Sequence, residues 1–321
     1  MKNEKKLIAL IVVPMLLTLM LTTQVTAKTS KPIIVCTTSA VGSIVEEYLG
    51  EDADVVVLVR PSLCPADFDM KPSDIYDVSN AKMLFKQKIP GEFWLQDLLD
   101  AASNTDLTQV AIPGAYNTPQ GAKNYIKWVG GNLSETLAID LTDKISAMVA
   151  GVDEVSSWMT SQSQDLQTSS IKVICMKWLK VFIESAGFQV VSVYDPPETL
   201  SAGDITDLVN TAQSEGVALI VDNMQIDAEF GGGIAEQVGA EHVVLTNFPG
   251  AIPKTETLSE MFRYNAEELY NGLNTWRSTS TLRAERDHLS NQLTTYQIVA
   301  SIAVVVAAFE AVLLYTRRKR A

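Results

Sequence analysis

Pro32-Ile33-Ile34-Val35-Cys36-Thr37-Thr38 is a short apolar run closing on small polar residues, followed by Val41 to Leu49 with helical spacing and Gly50 as a stop. Asp54-Val55-Val56-Val57-Leu58-Val59 then gives a second strand whose apolar residues are continuous instead of alternating. A parallel sheet covered on both faces produces that pattern. Reading outward, a helix at Pro72 to Asn80, an apolar Met83-Leu84-Phe85 segment, a helix at Glu92 to Ser103 and a strand at Leu107 to Ile112 continue the alternation. Residues 28–132 are therefore expected to form an α/β lobe.

From Leu133 to about Gln167 there is no proline and one glycine, Gly151, while apolar residues recur at Leu137, Leu141, Ile145, Met148, Val152, Val155 and Met159. Steps of three and four predict one long amphipathic helix over 133–168. A second α/β set follows over 169–276, with strands at Ile171 to Cys175, Phe188 to Val193, Ala218 to Asp222 and His242 to Thr246. The helices between and after them fall at Lys177 to Ala186, Asp204 to Ser214, Ile234 to Val238 and Glu256 to Leu273. The fold class is α/β, two α/β lobes with mainly parallel sheets joined by one long α-helix, plus a C-terminal transmembrane helix. Two lobes make a cleft.

The chain ends speak to location. Met1-Lys2-Asn3-Glu4-Lys5-Lys6, the apolar run Leu7 to Thr22 and the small residues of Val25-Thr26-Ala27 predict a signal peptide over 1–27. No cysteine follows closely enough to suggest a lipoprotein. Ile298 to Tyr315 carries Glu310 as its one charge and precedes Arg317-Arg318-Lys319-Arg320. This predicts a stalk over 277–297, an anchor over 298–315 and a basic cytoplasmic tail over 316–321, with the bulk of the chain extracytoplasmic. Glu310, near the end of the anchor, is read as protonated or snorkelling.

The net charge of −13, from 25 basic and 38 acidic residues, argues against a nucleic-acid partner. Three cysteines are too few for a disulfide scaffold. Asn132-Leu133-Ser134 is a glycosylation sequon. No nucleophile-base pair or phosphate loop is signalled, and Gly231-Gly232-Gly233 lacks a dinucleotide-binding context, so no enzyme is expected.

Ile34-Val35-Cys36-Thr37-Thr38, Val59-Arg60-Pro61 to Pro65, and Phe68-Asp69-Met70-Lys71-Pro72-Ser73-Asp74 together resemble the opening of the zinc/manganese-type (cluster A-I) solute-binding proteins of ABC transporters. Pro90-Gly91-Glu92-Phe93-Trp94-Leu95 and Met261-Phe262-Arg263-Tyr264-Asn265 resemble two of the family's later helices, and the likeness spans about Ile33 to Leu273. It implies capture of a metal ion or small solute, with ABC permease and ATPase subunits as partners. The family's metal ligands do not carry over. The positions that align with them hold Ala66, Ile126, Met176 and Asn247, and the chain has two histidines, His242 and His288. By resemblance Ala66, Ile126, Asn247 and Asp222 line the cleft.

Four sulfur residues lie near those positions: Cys36 at the first strand's end, Cys64 two positions before Ala66, and Cys175-Met176. Sulfur donors favour a soft ion such as Cu(I) over Zn or Mn. Buried free cysteines, a gap-filling methionine or a Cys64–Cys175 disulfide account for the same residues without metal. Asp67, Asp69 and Asp74 are further carboxylates near the cleft, with Asp74 also read as a helix N-terminal residue, and Trp94, Trp128 and Trp178 are either pocket or core. A second reading is an anchored interaction or sensory module that keeps the fold without binding metal.

Overall fold

The computed structural model describes residues 31–318 apart from positions 88 and 90. The signal peptide expected over 1–27 and the last three residues of the basic tail lie outside the described residues.

The first lobe alternates strand and helix: β1 (Ile33–Thr38), α1 (Ser39–Leu49), β2 (Asp54–Val59), α2 (Pro72–Asn80), β3 (Met83–Lys86), α3 (Leu95–Ala102) and β4 (Thr108–Ala111). Its four strands are all parallel, in the order β2-β1-β3-β4. Ile34, Val35 and Cys36 on the central strand are fully buried, which is why their run is apolar without alternation. α1 sits tight on this sheet because Gly42 has no side chain: a Cβ there would lie 2.4 Å from Val57 Cγ2.

Two helices follow, α4 (Pro119–Leu137) and α5 (Thr142–Asp165). The single helix expected over 133–168 is corrected here. Ala138 adopts the left-handed conformation, at φ 54°, and closes α4 by donating from its backbone N–H to Ser134 O. Asp140 then accepts from Thr142 N at 2.9 Å and α5 begins. Leu137, Leu141 and Ile145 keep a four-residue spacing through the break, so periodicity alone does not reveal it. The 24-residue α5 is the connection between the lobes.

The second lobe repeats the plan with β5 (Lys172–Met176), α6 (Lys180–Ser185), β6 (Gln189–Tyr194), α7 (Ala202–Glu215), β7 (Leu219–Asn223), α8 (Phe230–Val238) and β8 (Glu241–Leu245). Its strands are also parallel, in the order β6-β5-β7-β8. Ser201 and Asp204 exchange capping bonds that start α7, the reciprocal arrangement that satisfies exposed N–H groups at a helix start.

α9 runs from Leu258 to Arg318 without interruption. Its first turns bury Leu258, Met261, Phe262, Leu269 and Leu273 against the lobe, and Tyr270 donates to Met159 O at 3.0 Å. Arg277 donates to Leu166 O at 2.7 Å, and beyond it the helix leaves the lobe with most side chains exposed. The helix expected over Glu256 to Leu273 and the stalk after it are thus one continuous helix. Within it His288–Glu310, 23 residues of mean hydropathy 1.6, is long and apolar enough to cross a membrane.

Candidate functional site

Parallel strands bring the loops that follow them to one edge of each sheet. A cavity of about 390 Å³ opens where those edges meet between the lobes. Cys64 and Pro65 reach it after β2, Gln87 and Ile89 after β3, and Gly114 to Asn117 after β4. Lys177 and Trp178 come from the turn after β5, Asn223 and Gln225 from the end of β7, and Asn247 and Phe248 from the loop after β8. Tyr125 enters from α4.

Hydrogen bonds cross between the lobes around this cavity. Tyr116 Oη donates to Asn247 O at 2.5 Å, Asn117 Nδ2 to Trp178 O at 2.9 Å, Ser39 Oγ to Pro249 O at 2.8 Å, and Gln225 Nε2 to Pro61 O at 2.9 Å. The Tyr116 ring stacks on Phe248 at 6.5 Å between centroids.

The structure distributes the sequence-predicted residues unevenly. Asn247 and Cys64 lie on the cavity wall. Ile126 is core on α4, one residue from the cavity-facing Tyr125, and it accepts from Tyr48 Oη through its carbonyl. Ala66 is exposed and packs beside Gly91, where a Cβ would meet its backbone N at 2.9 Å. Asp222 is 0% exposed and turned away from the cavity. It accepts from His242 Nε2 at 2.8 Å, from Gly231 N at 2.7 Å and from the Tyr194 hydroxyl.

The sulfurs do not gather. Cys36 and Cys175 are core residues of different sheets, and Met176 Sδ accepts from Trp178 N at 3.5 Å. All three cysteines are free thiols, so no Cys64–Cys175 bridge forms. Burial pushes the Cys175 thiol up to about 12, pushes Cys36 up further, and raises Cys64 against the pull of the Ala66 N–H. Among the described residues, no three His, Cys, Asp or Glu side chains form a metal-holding group. Asp67 and Asp69 are exposed, and Asp74 serves α2 by accepting from Lys71 N at 2.8 Å. Of the three tryptophans, Trp178 faces the cavity, Trp94 is buried and donates to Pro65 O at 2.8 Å, and Trp128 is exposed.

Residues 34–272 match the family model described as the periplasmic zinc-uptake complex component A, ZnuA, over most of the chain. The chain belongs to this family. Members of this zinc-uptake family are substrate-binding proteins of ABC transporters and not enzymes. The manganese-binding lipoprotein MntA of Halalkalibacterium halodurans is 22% identical over 268 residues, covering 75% of this chain and 88% of MntA. The periplasmic zinc-binding protein TroA of Treponema pallidum shares the fold at a TM-score of 0.66 and 16% identity, over 76% of this chain and 99% of TroA. The solute-binding protein FpvC of Pseudomonas aeruginosa, solved with Mn2+, does so at 0.64 and 12% identity, over 76% of this chain and 99% of FpvC.

Among the described residues, the cavity of this zinc-uptake family member holds little donor chemistry for zinc or manganese. Those ions take imidazole and carboxylate ligands, and the described cavity wall carries neither. It offers amides, aromatic rings, the Cys64 thiol and one ammonium, Lys177, which pairs with Asp195. Sequence reasoning missed Gln87, Tyr116, Asn223 and Gln225, which lie at the end of a parallel strand or in the loop that follows one.

Proposed function

We propose that the chain is the membrane-anchored, extracytoplasmic capture subunit of an ABC importer, acting with permease and ATPase subunits and holding its cargo between the lobes. The cavity at the facing ends of two parallel sheets carries this reading, because its walls come from both halves and its volume of about 390 Å³ suits a small solute. Family membership supports the transporter partnership. The apolar stretch His288–Glu310, in one helix with the second lobe, supports a single-pass anchor with residues 31–276 outside.

The family and the relatives that bind zinc or manganese favour a metal ion as cargo. The wall supports that cargo poorly. A soft Cu(I) site would have Cys64 as its one cavity-lining sulfur, with Cys36, Cys175 and Met176 held in the cores.

The test is capture of the full chain from host membranes. Permease and ATPase subunits are expected to co-elute, and protease added outside should digest residues 31–276 while sparing the end at 316–321. Recovery without any ABC subunit would support the anchored interaction module instead, and a protease-accessible tail would overturn the orientation.

A further inference from the structure

One amide nitrogen in the cavity wall, on Asn223, lacks a hydrogen-bond partner, and a second amide, on Gln87, lies beside two tyrosine hydroxyls. Asn223 is 1% exposed, and its Oδ1 accepts from Gln225 N at 2.8 Å, which leaves Nδ2 as a buried donor with nothing to bond. Gln87 is 2% exposed, and its Oε1 accepts from Thr38 Oγ1. The Gln87 Nε2 is directed at the Tyr116 and Tyr125 hydroxyl oxygens, so its donors have acceptors within the wall. Those hydroxyls give their own protons to Asn247 O and Gly114 O.

Leaving a buried donor without an acceptor costs about 1–3 kcal/mol, so such groups in a cavity mark where an acceptor belongs. The amide oxygens beside them are already engaged, so the same residues offer a cation little. Around the donors the wall is aromatic and aliphatic, with Tyr116, Trp178 and Phe248 supplying flat surfaces. Lys177 is the one charged residue among the described wall residues, and its ammonium is paired with Asp195.

We propose that this cavity takes a small organic solute with a flat apolar body and an acceptor oxygen, a carboxylate or a carbonyl, received by Asn223 Nδ2. The inference rests on the capture-subunit reading and replaces its cargo: a metal ion gives way to an organic acceptor. The unpaired donor sets the selection. An ammonium-bearing analogue of the same shape meets donors where it needs acceptors, and a bare divalent ion meets no anionic ligand.

Calorimetric titration of the full chain in detergent with 2-naphthoate, 2-naphthamide, 2-naphthylmethylammonium, Zn2+ and Mn2+ tests this. The carboxylate or the amide should bind, and which of them is tighter distinguishes an anion site from a carbonyl site. The ammonium probe should bind at least about tenfold more weakly, because a site built to donate rejects an analogue it cannot bond. Asn223→Asp keeps the acceptor for Gln225 N and replaces the free donor with a charged oxygen. It should weaken naphthoate about tenfold or more, and because it buries a carboxylate it should also lower thermal stability, which thermal unfolding measures. Binding of the ammonium probe or of either metal ion as tightly as naphthoate overturns the proposal and leaves the capture-subunit reading standing. Failure of both acceptor probes to bind also overturns it, and co-elution with ABC subunits then decides the capture reading separately. The wild-type ranking of probes keeps the test decisive even where Asn223→Asp does not fold.

Discussion

Gln225 Nε2 donates to the backbone carbonyl of Pro61 at 2.9 Å, tying the second lobe to the loop after β2 in the first. The same nitrogen lies 2.8 Å from Thr246 Oγ1, and Oε1 accepts from Asn247 N at 3.0 Å. One side chain therefore both braces the cavity floor and joins the halves. Gln225→Leu should lower unfolding stability by about 1–3 kcal/mol, since it strands buried partners on both sides. Urea denaturation measures this, and an unchanged midpoint would mean that the bond contributes nothing net.

Little lobe rotation is expected on binding. α5 spans about 36 Å as a continuous helix, and four hydrogen bonds already cross the cleft around it. Spin labels placed one on each lobe should report a single distance distribution with and without 2-naphthoate, Zn2+ or Mn2+. A second, well-separated population on ligand addition would establish hinge closure instead.

The Asp222 carboxylate is a structural hub of the second lobe. Gly231 lies so close that an added Cβ would sit 2.7 Å from Asp222 Oδ1 and 2.7 Å from Ile220 Cγ2. Gly231→Ala should destabilise the protein by roughly 1–3 kcal/mol through overpacking. Asp222→Leu should cost more, because the Gly231 N–H and His242 lose their acceptor and the Tyr194 hydroxyl keeps only Val221 O. Thermal unfolding of each variant checks the order.

Thiol chemistry separates core from cavity. Iodoacetamide at pH 8 should leave Cys36 and Cys175 unmodified in the folded chain and label Cys64 slowly, faster as pH rises, because the thiolate is the reactive form. Folding raises the Cys175 value from 9.0 to about 12, so below pH 9 both folded and unfolded thiols are neutral and stability is unaffected. Above pH 9 the unfolded thiol ionises while the folded one does not, and stability should fall as pH climbs toward 12. Labelling of Cys175 at the rate of an exposed thiol would refute its placement.

Much of the fold is legible in local pattern. Ile33 to Thr38 and Asp54 to Val59 appear as the strands their continuous apolar runs predict, and each helix between the strands of the second lobe overlaps its expected place. The helix Pro119–Leu137 escaped notice because its apolar spacing merges with that of the next helix, and a single left-handed residue, Ala138, separates them. The site was read less well. Resemblance pointed to Ile126 and Asp222, and the cavity takes their neighbours Tyr125 and Asn223.

The sequence by itself determined the alternation of strands and helices, the two lobes, the apolar C-terminal stretch and the loss of the usual ligand types, because these depend on residue identity and on spacing along one element. Only the tertiary structure decided what faces the cleft. Successive residues of a strand point to opposite faces, so one step along β7 sends the Asp222 carboxylate to His242 and Tyr194 and leaves the Asn223 amide in the cavity wall. Which of two adjacent residues faces inward depends on how the sheet packs, and that is a property of the whole fold.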